Sequence, residues 1–161
     1  MTEQTKTTLQ QDLQAKKDNF NETAPEEIKT IYKAGIDDVK NNGIVKQAKQ
    51  TGAKAPDFSL PNATGQQVKL SEKIKNGPVI LTWYRGGWCP YCNLTLHHLQ
   101  QFLPDFQKQG AHLLALTPEL PDNSISTSEK HNLTFEVLSD IDNQVAKQYG
   151  IVFKLTEEVA N

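Results

Sequence analysis

Two cysteines, three positions apart in Cys89-Pro90-Tyr91-Cys92, are the side chains of this 161-residue sequence best suited to covalent chemistry. A close thiol pair can pass a disulfide to another protein, attack a peroxide, supply half of a metal site or fill a core. Placement decides among these. The run just upstream, "PVILTWY" (78–84), is nearly continuous in apolar, β-branched and aromatic residues. It has the length of a strand buried on both faces. Gly86-Gly87 then allows a tight turn, and Pro90 suits the first position of a helix. Leu94, Leu99, Phe102, Leu103 and Phe106 recur at helical spacing, and Pro104 is expected to kink or end that helix. Cys89 then falls near the N-cap and Cys92 in the first turn. Both sulfurs lie beside unpaired backbone N–H groups and the positive end of the helix dipole. Such surroundings favour the thiolate, the reactive form, lowering cysteine pKa from about 8.5 to roughly 3.5–7.5. Arg85 could add positive charge or simply sit solvated at the surface. Trp83 and Trp88 read as packing residues, and Trp88, next to Cys89, could wall the site.

A structural zinc takes four ligands. Beyond the cysteines the chain offers His97, His98, His112 and His131, none with a partner at ligand spacing. Neither a metal nor an organic cofactor is therefore expected. His97 and His98 are adjacent, point in different directions on a helix, and read as solvated residues.

The elements that must position the pair follow from the rest of the pattern. Residues 1–50 are polar, with Ile28, Ile31, Tyr32, Ile36 and Val39 at helical spacing. That helix should start at Thr23-Ala24-Pro25-Glu26 and stop at Asn42-Gly43, with a second short helix over 44–49. This polar arm (1–50) precedes a domain over 51–161. "APDFSLPNATGQQVKL" suggests a hairpin around Asn62-Ala63-Thr64-Gly65. "AHLLALT" (111–117) and "FEVLSD" (135–140) read as further strands, "NSISTSEKHN" as a weakly patterned helix, and "NQVAKQYG" as a helix stopped by Gly150. Strands alternating with helices imply an α/β fold with a largely parallel sheet. A chain of this length forms one domain able to bury roughly 70% of its unfolded surface. A net charge of -2 gives no reason to expect nucleic acid or anionic lipid as a partner. No apolar run is long enough to span a bilayer, and the start "MTEQTKTTLQQDLQAKKDNF" has no signal-peptide pattern. The expected location is the cytosol, where a close cysteine pair is more often catalytic than structural.

With these elements in place, "WCPYC" at a strand-to-helix turn resembles the thioredoxin fold. The stretch "GAKAPDFSLPNATGQQVKLSEKIKNGPVILTWYRGGWCPYCNLTLHHLQ" and the later "FEVLSDIDNQVAKQYGI" are similar to the AhpC/TSA group, the peroxiredoxins, over about residues 50–155. The subgroup with a thioredoxin-type CxxC matches best. The resemblance implies a peroxide substrate, a thioredoxin or similar thiol reductant, and catalysis by Cys89 and Cys92 with Arg85, Trp88 and Pro90 in support. In the family's P-x3-T-x2-C frame, Cys92 matches the cysteine that attacks peroxide. Cys89 then replaces the threonine, and Arg85 the proline. In the thioredoxin frame the roles reverse: Cys89 attacks a disulfide and Cys92 resolves it. The resemblance also implies a hairpin and final helix after Tyr149-Gly150, whereas the sequence given ends at "IVFKLTEEVAN", with no arginine besides Arg85. The expectation is a C-terminally truncated thioredoxin-like fold with a helical arm, leaving "PVILTWY" as an apolar edge strand that could pair with a second copy. Three functions follow: a thiol peroxidase, a protein disulfide oxidoreductase, and a catalytically weak redox-sensing or interaction domain.

Overall fold

The computed structural model describes residues 7–123, 127 and 132–160. The polar start of the chain is more helical than its pattern suggests. Helix α1 (Leu9–Thr23) precedes α2 (Glu26–Asn41) and α3 (Ile44–Gln47). The apolar periodicity marks α2 and α3 but not α1, whose few apolar side chains form no continuous stripe and which buries no residue. Pro25 caps α2 at its start, and Gly43, at φ 82°, follows its C-cap Asn42.

The chain divides into two compact units, Met1–Lys16 with Asp57–Asp142, and Lys17–Pro56 with Asn143–Asn161. In the first, β1 (Ser59–Pro61) and β2 (Gln67–Lys69) form the expected antiparallel hairpin. Its turn is held by Asn62 Oδ1, which accepts from the backbone N–H of Thr64 and Gln66 and from the Thr64 hydroxyl. A short helix α4 (Leu70–Ile74) leads to β3 (Val79–Trp83). Helix α5 (Pro90–Lys108), β4 (His112–Thr117) and β5 (Glu136–Ser139) follow. The three longer strands form a parallel sheet in the order β3-β4-β5. Along β4, Leu113 and Ala115 pack with Leu96 and Leu103 of α5, while Leu114 and Leu116 point to the opposite face and are also buried.

Two expectations need correction. The first concerns β3, which is not buried on both faces: each of its residues is half-buried, because β3 lies at the sheet edge and β4 takes the centre. The second concerns Pro104: of the kink or end expected there, the end does not occur, and α5 runs on through it to Lys108. The proline removes one backbone hydrogen bond, but Leu103 and Phe106 on either side pack into the core and hold the helix through it. The helix expected over 123–132 falls mostly outside the described residues.

In the second unit α6 (Gln144–Gln148) is followed by Gly150 at φ 70°, as the pattern implies. The backbone of Lys49 donates to Tyr149 O at 2.9 Å, and the Tyr149 hydroxyl donates to Pro56 O at 2.9 Å. A short helix α7 (Glu157–Ala160), not foreseen in the sequence, lays Val159 against Gly35 of α2. Among the described residues no helix is long and apolar enough to cross a membrane.

Candidate active site

Strand β3 runs directly into the cysteine pair. Tyr84 extends its pairing, donating its backbone N–H to Leu116 O at 2.9 Å, and its side chain is buried in the core. The chain then turns through residues 85–88. Gly86 has φ 153°, and a Cβ there would stand 2.4 Å from the Trp88 indole nitrogen. A Cβ on Gly87 would stand 2.3 Å from the Thr127 hydroxyl oxygen. Close approach thus requires glycine at both positions, and at Gly86 the backbone conformation requires it as well. Cys89 N–H returns to Gly86 O at 3.1 Å and closes the turn.

Cys89 is the N-cap of α5 and Pro90 its first residue. The N-cap function normally falls to a side-chain oxygen; here the Cys89 sulfur accepts from the Cys92 backbone N–H at 3.3 Å. The same sulfur accepts from Arg85 Nη2 at 3.1 Å and from the Cys92 thiol at 2.6 Å. Both cysteines are free thiols. Burial pushes the Cys89 thiol pKa up, but hydrogen bonds from the Cys92 side chain and backbone, with the Arg85 guanidinium, outweigh it and hold the pKa below the ordinary thiol value. Cys92 shifts the other way, raised first by burial against the core and then by its bond to Cys89. Of the two, Cys89 is thus the thiol that ionises more readily, and Cys92 holds its proton more tightly. Cys89 is fully buried, whereas Cys92 keeps partial solvent access.

The structure brings Cys89, Cys92, Arg85, Trp88 and Pro90 into one place. Arg85 is not merely solvated, since its guanidinium bonds the sulfur and lies 5.3 Å from the Trp88 ring centroid. Trp88 is not a core residue, being 66% exposed. His98 departs furthest from expectation. It is buried, with Nε2 2.6 Å from Asp12 Oδ2, while His97 is exposed beside Gln101. Sequence reasoning missed Glu119 and Asn93, which bind the turn at Gly87 N and Gly87 O, at 3.1 and 3.0 Å. For Glu119 there was a signal. It follows the C-terminal end of β4, and in open parallel sheets that end carries the site.

A strand of a parallel sheet that feeds a CxxC at a helix N-terminus is the arrangement of the thioredoxin-like class of redox proteins. Peroxidoxin BcpB of Mycobacterium tuberculosis superimposes with a TM-score of 0.63 at 27% identity, covering 66% of this chain and 69% of that one. The AhpC/TSA family model matches residues 51–160, and the chain belongs to that family. Peroxiredoxin Bcp of Escherichia coli is 31% identical over 102 residues, 63% of this chain and 65% of that protein. Thiol-disulfide oxidoreductase ResA of Geobacillus thermodenitrificans is 31% identical over 107 residues, 66% of this chain and 60% of that protein. The chain thus spans somewhat less than two thirds of the curated relatives it matches.

Proposed function

We propose that this protein is a thiol-dependent peroxidase acting on hydrogen peroxide or an organic hydroperoxide through Cys92 and Cys89. The observation that carries the reading is the pairing of two free thiols, 2.6 Å apart at the start of α5, in a chain of the AhpC/TSA family. Cys92 has the solvent access and the family position of the attacking cysteine. As its sulfur bonds the distal peroxide oxygen, its proton passes to Cys89, the O–O bond breaks and an alkoxide leaves. The alkoxide takes the Cys89 proton and departs as alcohol, leaving Cys92 as sulfenic acid. The Cys89 thiolate then attacks the Cys92 sulfur. An S–S bond forms, and hydroxide leaves to become water with a proton from solvent. Two electrons have passed from the dithiol to the peroxide. An external dithiol of the thioredoxin type reopens the disulfide by exchange. That reset suits a reducing compartment such as the cytosol, and pairing with a second copy along the β3 edge is compatible with it.

The stabilised charge on Cys89 favours a second reading. A Cys89 thiolate could attack a protein disulfide, with Cys92 releasing the product. Stopped-flow fluorescence of the reduced protein against hydrogen peroxide separates the two, run on wild type, Cys89→Ser and Cys92→Ser. The peroxidase predicts a fast, peroxide-dependent change in wild type, a slower one in Cys89→Ser that stops at the sulfenic acid, and none in Cys92→Ser. Rates no better than those of a free thiol in all three, with insulin reduction intact in wild type, would move the assignment to disulfide exchange.

A further inference from the structure

Within its own turn Arg85 has the Trp88 ring 5.3 Å from its guanidinium and the Cys89 N–H closing on Gly86 O. Two glycines follow it, and glycine has more backbone freedom to lose than any other residue. The guanidinium sits 3.1 Å from the Cys89 sulfur. Side chains from outside the turn add to what holds it there. Asn93 donates to Gly87 O, and Thr127 packs on the Gly87 α-carbon. Glu119 does more than either, because it reaches both glycines. Its Oε2 accepts the Gly87 N–H at 3.1 Å. Its Oε1 lies 2.8 Å from the point a Gly86 Cβ would occupy, and the Trp88 indole nitrogen lies 2.4 Å from that same point. Glu119 and Trp88 together close the bare side of Gly86.

The charge of Glu119 does nothing for a nearby thiolate, since like charges repel. Its value here is as a hydrogen-bond acceptor at the two glycines of the turn, which have no side chains of their own. We propose that Glu119 is a positioning residue of the cysteine pair: it pins the Gly86-Gly87 turn and so keeps the Arg85 guanidinium on the Cys89 sulfur. This rests on Cys89 and Cys92 being the redox pair, and not on which substrate they take. Among the described residues, the charged and titratable groups that bond Cys89 are Arg85 on the turn and Cys92 on α5, and Glu119 after β4 reaches the same turn at Gly87.

The test is the thiolate ultraviolet absorbance of the reduced full chain against pH, in wild type, Glu119→Gln, Glu119→Ala and Arg85→Ala. Glu119→Gln keeps an acceptor oxygen and drops the charge, so its midpoint should stay at or just below that of wild type. Glu119→Ala frees the turn, and its midpoint should move up by roughly half a pH unit, toward that of Arg85→Ala. Coincidence of Glu119→Ala with wild type overturns the proposal. So does Glu119→Gln rising together with Glu119→Ala, because an acceptor would then not replace the carboxylate. Should Glu119→Ala lack the native circular dichroism spectrum, Gly86→Ala probes the same clamp by forcing a Cβ between Trp88 and Glu119. Its midpoint should also rise, and an unchanged one overturns the proposal. A wild type inactive toward both peroxide and insulin would sink the proposed function and still leave this titration readable.

Discussion

At the scale of single residues the site is governed by how one sulfur collects its donors. Cys89 accepts from a backbone N–H, a thiol and a guanidinium, and loses water in return. Arg85 is the one arginine in the sequence, so no other guanidinium can take its place. A hydrogen bond to a charged group contributes about 1.5–3 kcal/mol. Arg85→Met removes the bond and the charge while keeping an aliphatic stem over Trp88. Alkylation of the reduced pair by iodoacetamide at neutral pH should then slow by about tenfold, as expected for losing the lower end of that range. The sign follows from the direction of the Cys89 shift: removing a group that lowers a thiol pKa raises it, and less thiolate is present at pH 7. Arg85→Lys should recover only part of the rate, because an ammonium is a compact, strongly hydrated charge without the planar fork. An Arg85→Met rate equal to wild type would mean that the capping N–H and the Cys92 thiol suffice.

Between elements, two buried polar groups join parts of the first unit that are far apart in sequence. Asn62, in the β1–β2 turn, holds that turn through Oδ1 and donates through Nδ2 to Glu136 Oε2 of β5 at 3.1 Å. Asn62→Ala removes these hydrogen bonds from partners that water can reach and should lower the free energy of unfolding by about 0.5–1.5 kcal/mol, read as a shifted urea midpoint at constant slope. The second group is Asp12 with His98. The hydrogen bond from His98 is the largest cause holding the Asp12 carboxyl below its ordinary 3.8. A pKa lower in the folded than in the unfolded chain adds stability above the unfolded value, and that stability is lost as pH falls through the folded one. The melting temperature of wild type should therefore drop on acidification below about pH 4, whereas Asp12→Asn should start lower at neutral pH and fall less. Parallel curves would show that the Asp12–His98 hydrogen bond does not contribute. Neither link was legible in the sequence. The hairpin was, because an Asn-Ala-Thr-Gly turn between short apolar runs is a local signal. The dithiol helix was legible for the same reason: strand, glycines, cysteine and proline follow one another. Asp12 and His98 lie 86 positions apart, so no spacing rule connects them, and α1 lacks the apolar stripe that would have revealed a helix to carry Asp12.

For the molecule as a whole, the arrangement of three parallel strands decides where the fold is held and where it is open. β4 is central, with both neighbours bonded to it and five of its six residues buried. β5 is next, with three of four residues buried and an isolated bridge from Leu138 to Asn62. β3 pairs with β4 along one side, and its residues are all half-buried, although it is the strand that leads to the cysteine pair. The sheet thus places the cysteine pair beyond the end of its least enclosed strand. In a parallel ladder a strand directs alternate N–H groups to its two sides. Alternate amides within Val79–Thr82 should therefore exchange with solvent far faster than those of His112–Thr117, whose opening requires the sheet to come apart. Hydrogen exchange at low protein concentration measures this directly. Uniform protection along Val79–Thr82 that persists on dilution would mean that another part of the same chain covers the edge. Protection that appears only as concentration rises would mean that a second copy does, with an apolar edge strand as the surface it recognises.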